Sequence, residues 1–121
     1  MSPSSPRTEG RVKNMPFIDV KASCEITPAQ EQELKTELGK VISLIPGKSE
    51  GVLMISFTDR CRMWFGGEQE GPIVMVKTMI YGSAASEDAS AYGSAVSELF
   101  RQVLGVKHIY CKLEDGTDWS W

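Results

Sequence analysis

Hydrophobic and polar positions alternate from Phe17 to Ala22. Ile18, Val20 and Ala22 fall on one side, Asp19 and Lys21 on the other. Period-two alternation predicts a strand with one polar face. At "ITPAQ" the period changes. Thr27 suits a helix N-cap, Pro28 the first helical position, and Gln30 completes a capping box. Leu34, Leu38, Val41, Ile42 and Ile45 then recur at helical spacing until Pro46-Gly47 stops the run. A second strand is predicted over "VLMISFT", residues 52–58.

The second half repeats the first. "PIVMVKTMIY", residues 72–81, predicts a strand. Ser86 is expected to cap a helix whose first turn holds Glu87 and Asp88, which suit the helix dipole. Tyr92, Val96, Leu99, Phe100 and Val103 mark its buried face, and Gly105 ends it. "HIYCKL", residues 108–113, is the last long strand. Counted from the prolines, strand starts lie 36 residues apart in each half (16 to 52 and 72 to 108), and Pro16 and Pro72 are offset by 56. This is the signature of a duplicated βαβ unit.

Each βαβ unit predicts a right-handed crossover between parallel strands. The fold class is therefore α/β, of the α+β sandwich type: a four-stranded sheet with two helices on one face. Residues 52–58 and 72–81 are apolar at nearly every position, which signals burial on both sides. With no helix left for the second face, another copy of the chain is the expected cover. "RMWF" (62–65) and "DWSW" (118–121) are expected as edge strands or interface segments.

Composition narrows the function. The chain has 121 residues, enough for one domain, and a formal charge of −3. Arg7, Arg11 and Lys13 against Glu9 lie in residues 1–14, so the remainder carries 10 basic and 15 acidic side chains. That balance argues against nucleic acid or an anionic membrane as partner. Three cysteines, Cys24, Cys61 and Cys111, at wide spacing predict reduced thiols and a cytoplasmic chain. Residues 1–14, "MSPSSPRTEGRVKN", have almost no hydrophobic content and predict a disordered extension ahead of a domain at 15–121. An appended leader, a native extension or an organelle-targeting peptide all fit them.

No phosphate-binding glycine loop is present, and no metal-ligand spacing predicts a metal or other cofactor. "FGG" at 65–67 reads as a turn, His108 as a strand-edge residue, and Glu31, Glu33 and Glu37 as solvated surface. Pro16 opens a strand, where its missing N–H costs little. Were Met15 the start, methionine removal would expose the Pro16 nitrogen as a secondary amine. An α-amino group has a reference pKa near 8, and burial or nearby cations lower it toward a neutral base.

"MPFIDVKAS", the lysine of "PGKSE", "MWFGG" and "IYCKLED…DWSW" together resemble the macrophage migration inhibitory factor branch of the tautomerase superfamily. The likeness covers residues 15–121. It implies a homotrimer with sites between subunits and a phenylpyruvate-type tautomerase, an isomerase acting on small aromatic α-keto acids without a cofactor. Pro16 matches the catalytic proline and Lys48 the lysine that holds the substrate carboxylate. Tyr110 matches an aromatic residue from the adjacent subunit. A one-residue gap leaves Ile80 or Tyr81 at the family isoleucine whose backbone N–H meets substrate. Phe17 lines the mouth, and Trp121 matches a tryptophan at the rim. Lys112 stands where the family has asparagine, and as Tyr110's neighbour on one strand face it is a second candidate cation. The chain also stops at Trp121, short of a segment that helps build the pocket in relatives. If residues 1–14 stay attached, Pro16 is an amide and the resemblance implies an inactive form. The resemblance also carries a second role, a non-catalytic cytokine-like binding protein, with a receptor these residues do not identify and release by a non-classical route.

Overall fold

A computed structural model describes residues 15–120. The elements are β1 (Phe17–Ala22), α1 (Pro28–Val41), β2 (Met54–Thr58), β3 (Ile73–Tyr81), α2 (Ser86–Leu104) and β4 (His108–Gly116). The sheet order is β2-β1-β3-β4. β1 runs parallel to β2, and β3 parallel to β4. The two units meet antiparallel along β1 and β3. Two copies of one parallel βαβ motif thus form the four-stranded sheet, as the repeat predicts.

α1 begins where its local chemistry dictates. The Thr27 hydroxyl accepts from Gln30 N–H, and the Gln30 side chain accepts from Thr27 N–H, so two orphan donors of the first turn are satisfied. The α-helix ends at Val41. The predicted run to Ile45 continues as a 3-10 turn, Ile42–Leu44. α2 departs from expectation at its start. Ala85 is the N-cap, no side chain caps it, and Ser86 is already helical. Gly105 closes α2 with φ 63, a left-handed geometry that favours glycine.

The core lies between the helices and one sheet face. Ile18, Val20, Val74, Val76 and Ile80 point from the strands to Leu34, Leu38, Ile42, Val96 and Phe100. Phe100 is fully buried, and truncating such an aromatic to alanine costs about 3–5 kcal/mol. Tyr92 brings a hydroxyl into this core and satisfies it on Thr78 at 2.7 Å.

Burial on both sheet faces does not hold within the chain. β2 is an edge strand that starts at Met54, two residues late, behind a 3-10 turn at Glu50–Val52. None of its residues is fully buried. The face without helices carries Phe17, Met54, Met75, Met79 and Tyr110, but a charged row crosses it: Asp19 pairs with Lys77, and Lys77 with Lys112. It is an apolar surface interrupted by charge. Met54 and Tyr110 are 66% and 65% exposed. The expected extra strands reduce to one isolated bridge between Phe65 and Glu68. β4 instead runs to Gly116, and residues 118–120 form no strand.

Candidate functional site

Pro16 sits just before β1. The register pairs Phe17 with Met79, so one further step sets Pro16 beside Ile80. Pro16 is buried, and its carbonyl accepts from Met54 N–H at 3.1 Å. A proline fits here because the first residue of a strand need not donate to the ladder. Pro16 is thereby fixed between the starts of β1 and β2 and the end of β3.

Lys48 reaches the same end of the sheet from the turn after α1. Gly47, at φ 84, reverses the chain, and Lys48 N–H donates to Ile45 O at 3.1 Å. The Lys48 ammonium donates to the Tyr81 carbonyl at 2.8 Å. Partial burial holds its pKa below the ordinary 10.5. Pro16, Lys48, Ile80 and Tyr81 therefore converge, with Phe17 alongside on the helix-free face. The last two of these differ in environment. The Ile80 side chain is fully buried in the core, whereas Tyr81 is half-exposed and offers its carbonyl to Lys48.

A cavity of about 410 Å³ adjoins this corner. Met79 and Ile80 form its floor, and Glu114, Asp115, Asp118 and Trp119 stand around it. None of these four carries a chemical signal in the sequence. Scattered acidic residues near a chain end carry no periodic signal, and only the run of β4 to Gly116 brings them here. Their charge repels an anion on that side, and among the described residues Lys48 brings a positive charge to this corner.

Tyr110 and Lys112 lie elsewhere. Tyr110 pairs with Met75, five residues along β3 from Ile80, or roughly 16 Å at strand rise. Lys112 pairs with Lys77, whose ammonium lies 3.8 Å from the Glu114 carboxylate. Both face away from the helices, as strand alternation predicts. One chain alone does not bring either side chain to Pro16. Trp121 lies outside the described residues.

The Tyr110 ring has a support the sequence did not reveal. Residues 65–68 make a tight turn closed by reciprocal Phe65–Glu68 backbone bonds of 2.7 and 3.0 Å, with Gly66 and Gly67 at φ 59 and 83. The turn lays Phe65 flat on His108, centroids 3.9 Å apart, and edge-on to Tyr110 at 5.8 Å. The glycine turn thus positions an aromatic wall, and His108 serves in that stack. Among the described residues no group of three or more His, Cys, Asp or Glu side chains is placed to hold a metal. No helix among them is long and apolar enough to cross a membrane.

No family model matches the chain, and no curated protein does. Solved structures match along nearly its whole described length. Leishmania major MIF2 superposes with a TM-score of 0.81 at 20% identity, over 89% of this chain and 94% of that one. The macrophage migration inhibitory factor of Toxoplasma gondii gives 0.74 at 22% identity, over 87% and 95%. A fused 4-OT that is a symmetric trimer gives 0.72 at 19% identity, over 82% and 84%. The likeness is one of fold: this chain has the architecture of macrophage migration inhibitory factors and 4-OT proteins.

Proposed function

We propose that the chain is a keto–enol tautomerase for phenylpyruvate-type α-keto acids, with the Pro16 nitrogen as base once Pro16 is the first residue. The observation that carries this reading is the convergence of buried Pro16 with Lys48 at the Ile80–Tyr81 end of β3. In the keto-to-enol direction, the free amine takes a proton from the carbon next to the keto group. The electron pair of that C–H bond becomes the new C=C bond, and the keto oxygen takes a proton from water, whose hydroxide is neutralised when the protonated amine gives up its proton. The reverse step returns the proton to carbon. Lys48 holds the substrate carboxylate, the backbone at Ile80 or Tyr81 meets the substrate, and Phe17 lines the mouth. An amide nitrogen has no basic lone pair, so residues 1–15 must be removed for this chemistry.

The active form in this proposal is a homotrimer, with Tyr110 and Lys112 donated to the Pro16 corner of a neighbouring copy. Exposed Tyr110 and Met54, and the symmetric trimer formed by a 4-OT of the same fold, support that assembly. A non-catalytic binding role on the same fold is the competing reading, favoured by the acidic residues beside the Pro16 corner. Ketonisation of phenylpyruvate enol, followed by its ultraviolet absorbance in the chain that begins at Pro16, separates the two. Acceleration over buffer supports the enzyme; decay at the buffer rate sinks it and leaves the binding role. Light scattering on the same sample should report three chains per particle, and a stable monomer would remove the shared site.

A further inference from the structure

The turn that leaves β2 folds back onto the end of β1. Cys61 N–H donates to Ala22 O at 2.9 Å, and Arg60 N–H to Cys24 O at 3.0 Å. Asp59 Oδ2 accepts from Ile26 N–H at 2.8 Å, and the Arg60 guanidinium pairs with Glu25 at 2.9 Å. Four contacts clamp residues 59–61 onto residues 22–26. Arg60 sits at φ 55, a left-handed backbone that a residue with a side chain adopts only when its surroundings hold it there.

The clamp carries one cysteine on each segment. Cys24 and Cys61 are both free and half-buried. The Cys61 thiol lies 3.5 Å from Thr58 O and 3.9 Å from Asp59 O. Burial pushes the Cys24 thiol up, a backbone hydrogen bond pulls the other way, and the Asp59 carboxylate adds a smaller upward push. Asp59 lies between the two segments, its backbone oxygen toward the Cys61 thiol and its carboxylate bonded to Ile26 N–H. The bonds join residue 61 to residue 22 and residue 60 to residue 24, so each cysteine lies within two residues of the other's bonding partner, on segments roughly 5 Å apart. The third thiol, Cys111, is remote in the sheet: it lies on β4 at the far edge, against Ser97 of α2.

We propose that Cys24 and Cys61 are an oxidative modification site that closes to a reversible intrachain disulfide by exchange with a small disulfide such as glutathione disulfide. The Cys61 thiolate attacks one glutathione sulfur, forms the mixed disulfide and releases one glutathione thiolate. Cys24, slowed by its raised pKa, then gives its proton to water and attacks the Cys61 sulfur. The second glutathione leaves as thiolate. Two protein thiols are oxidised, and one glutathione disulfide is reduced to two glutathiones. The bond joins the end of β1 to the exit of β2 across the whole first βαβ unit. It lies at the opposite end of β1 from Pro16, so it stands apart from the proposed proton transfer.

The test uses the full chain with Cys111→Ser, incubated with glutathione disulfide and read by intact mass and a non-reducing peptide map. The proposal expects the loss of two hydrogens, no retained glutathione, and one peptide joining residue 24 to residue 61. The thermal midpoint should rise by several degrees and return when dithiothreitol reopens the bond. A further Cys24→Ser change should leave glutathione trapped on Cys61. Two retained glutathiones per chain, a bond between two chains, or two thiols still open to alkylation would each overturn the site.

Discussion

The Lys48 ammonium and the Tyr81 carbonyl meet at 2.8 Å across the end of the sheet, linking the turn after α1 to the last residue of β3. This bond points one cation toward the Pro16 corner while its aliphatic stem is partly buried. In the proposed reaction Lys48 binds a carboxylate in ground and transition states alike. Lys48→Ala, in the chain that begins at Pro16, should raise KM by about 10- to 100-fold, the worth of a charge-assisted hydrogen bond, with kcat little changed. Steady-state kinetics on phenylpyruvate decide it. A collapsed kcat at unchanged KM would assign Lys48 to the chemical step instead.

Lys112 faces the same side of β4 as Tyr110, on the charged row with Lys77 and Asp19. In the trimer of the proposal it brings a second cation toward the substrate carboxylate. Lys112→Asn should raise KM by about twofold, the scale of an exposed ion pair, and flatten its dependence on salt. If neither KM nor its salt response moves, Lys112 is surface and the second cation is absent.

Tyr92 links stability to pH. Burial pushes its pKa up to about 12, with the Thr78 hydrogen bond pulling the other way. Its folded pKa thus exceeds its unfolded value of 10.0. The unfolded chain loses this proton first, so the contribution of Tyr92 is complete below pH 10.0 and is lost as pH rises toward about 12. Tyr92→Phe should lower stability by about 1–3 kcal/mol near neutral pH, because buried Thr78 loses its partner. The gap between parent and variant should shrink in alkali. Urea titrations at about pH 8 and about pH 11 measure that gap, and an equal gap at both would refute the linkage.

Signals confined to a few adjacent residues were legible in the chain. The Thr27–Gln30 box, the Gly105 stop and the core stripe of α2 stand as read, because capping chemistry and periodicity act locally. Ser86 misled because propensity favours serine as a cap while backbone geometry gives that place to Ala85. The apolar run of β2 reads like a buried strand, yet topology puts it at an edge. At the site, Pro16 stood out by the chemistry of an exposed proline nitrogen, and Lys48 only through resemblance, since nothing local ties residue 48 to residue 81. The Phe65–His108 stack joins residues 43 apart in sequence and left no pattern to find. The acidic cavity depends on how far β4 runs, which composition does not set.

The central claim is that the Pro16 nitrogen is the base, and its state can be switched without altering any side chain of the folded body. Two samples suffice: the chain beginning at Pro16 and the chain with residues 1–15 attached, each verified by intact mass. Enol–keto exchange of phenylpyruvate is measured on both. The proposal predicts exchange by the first and a rate close to buffer for the second. Equal acceleration by both would contradict it, because an amide nitrogen cannot carry the proton.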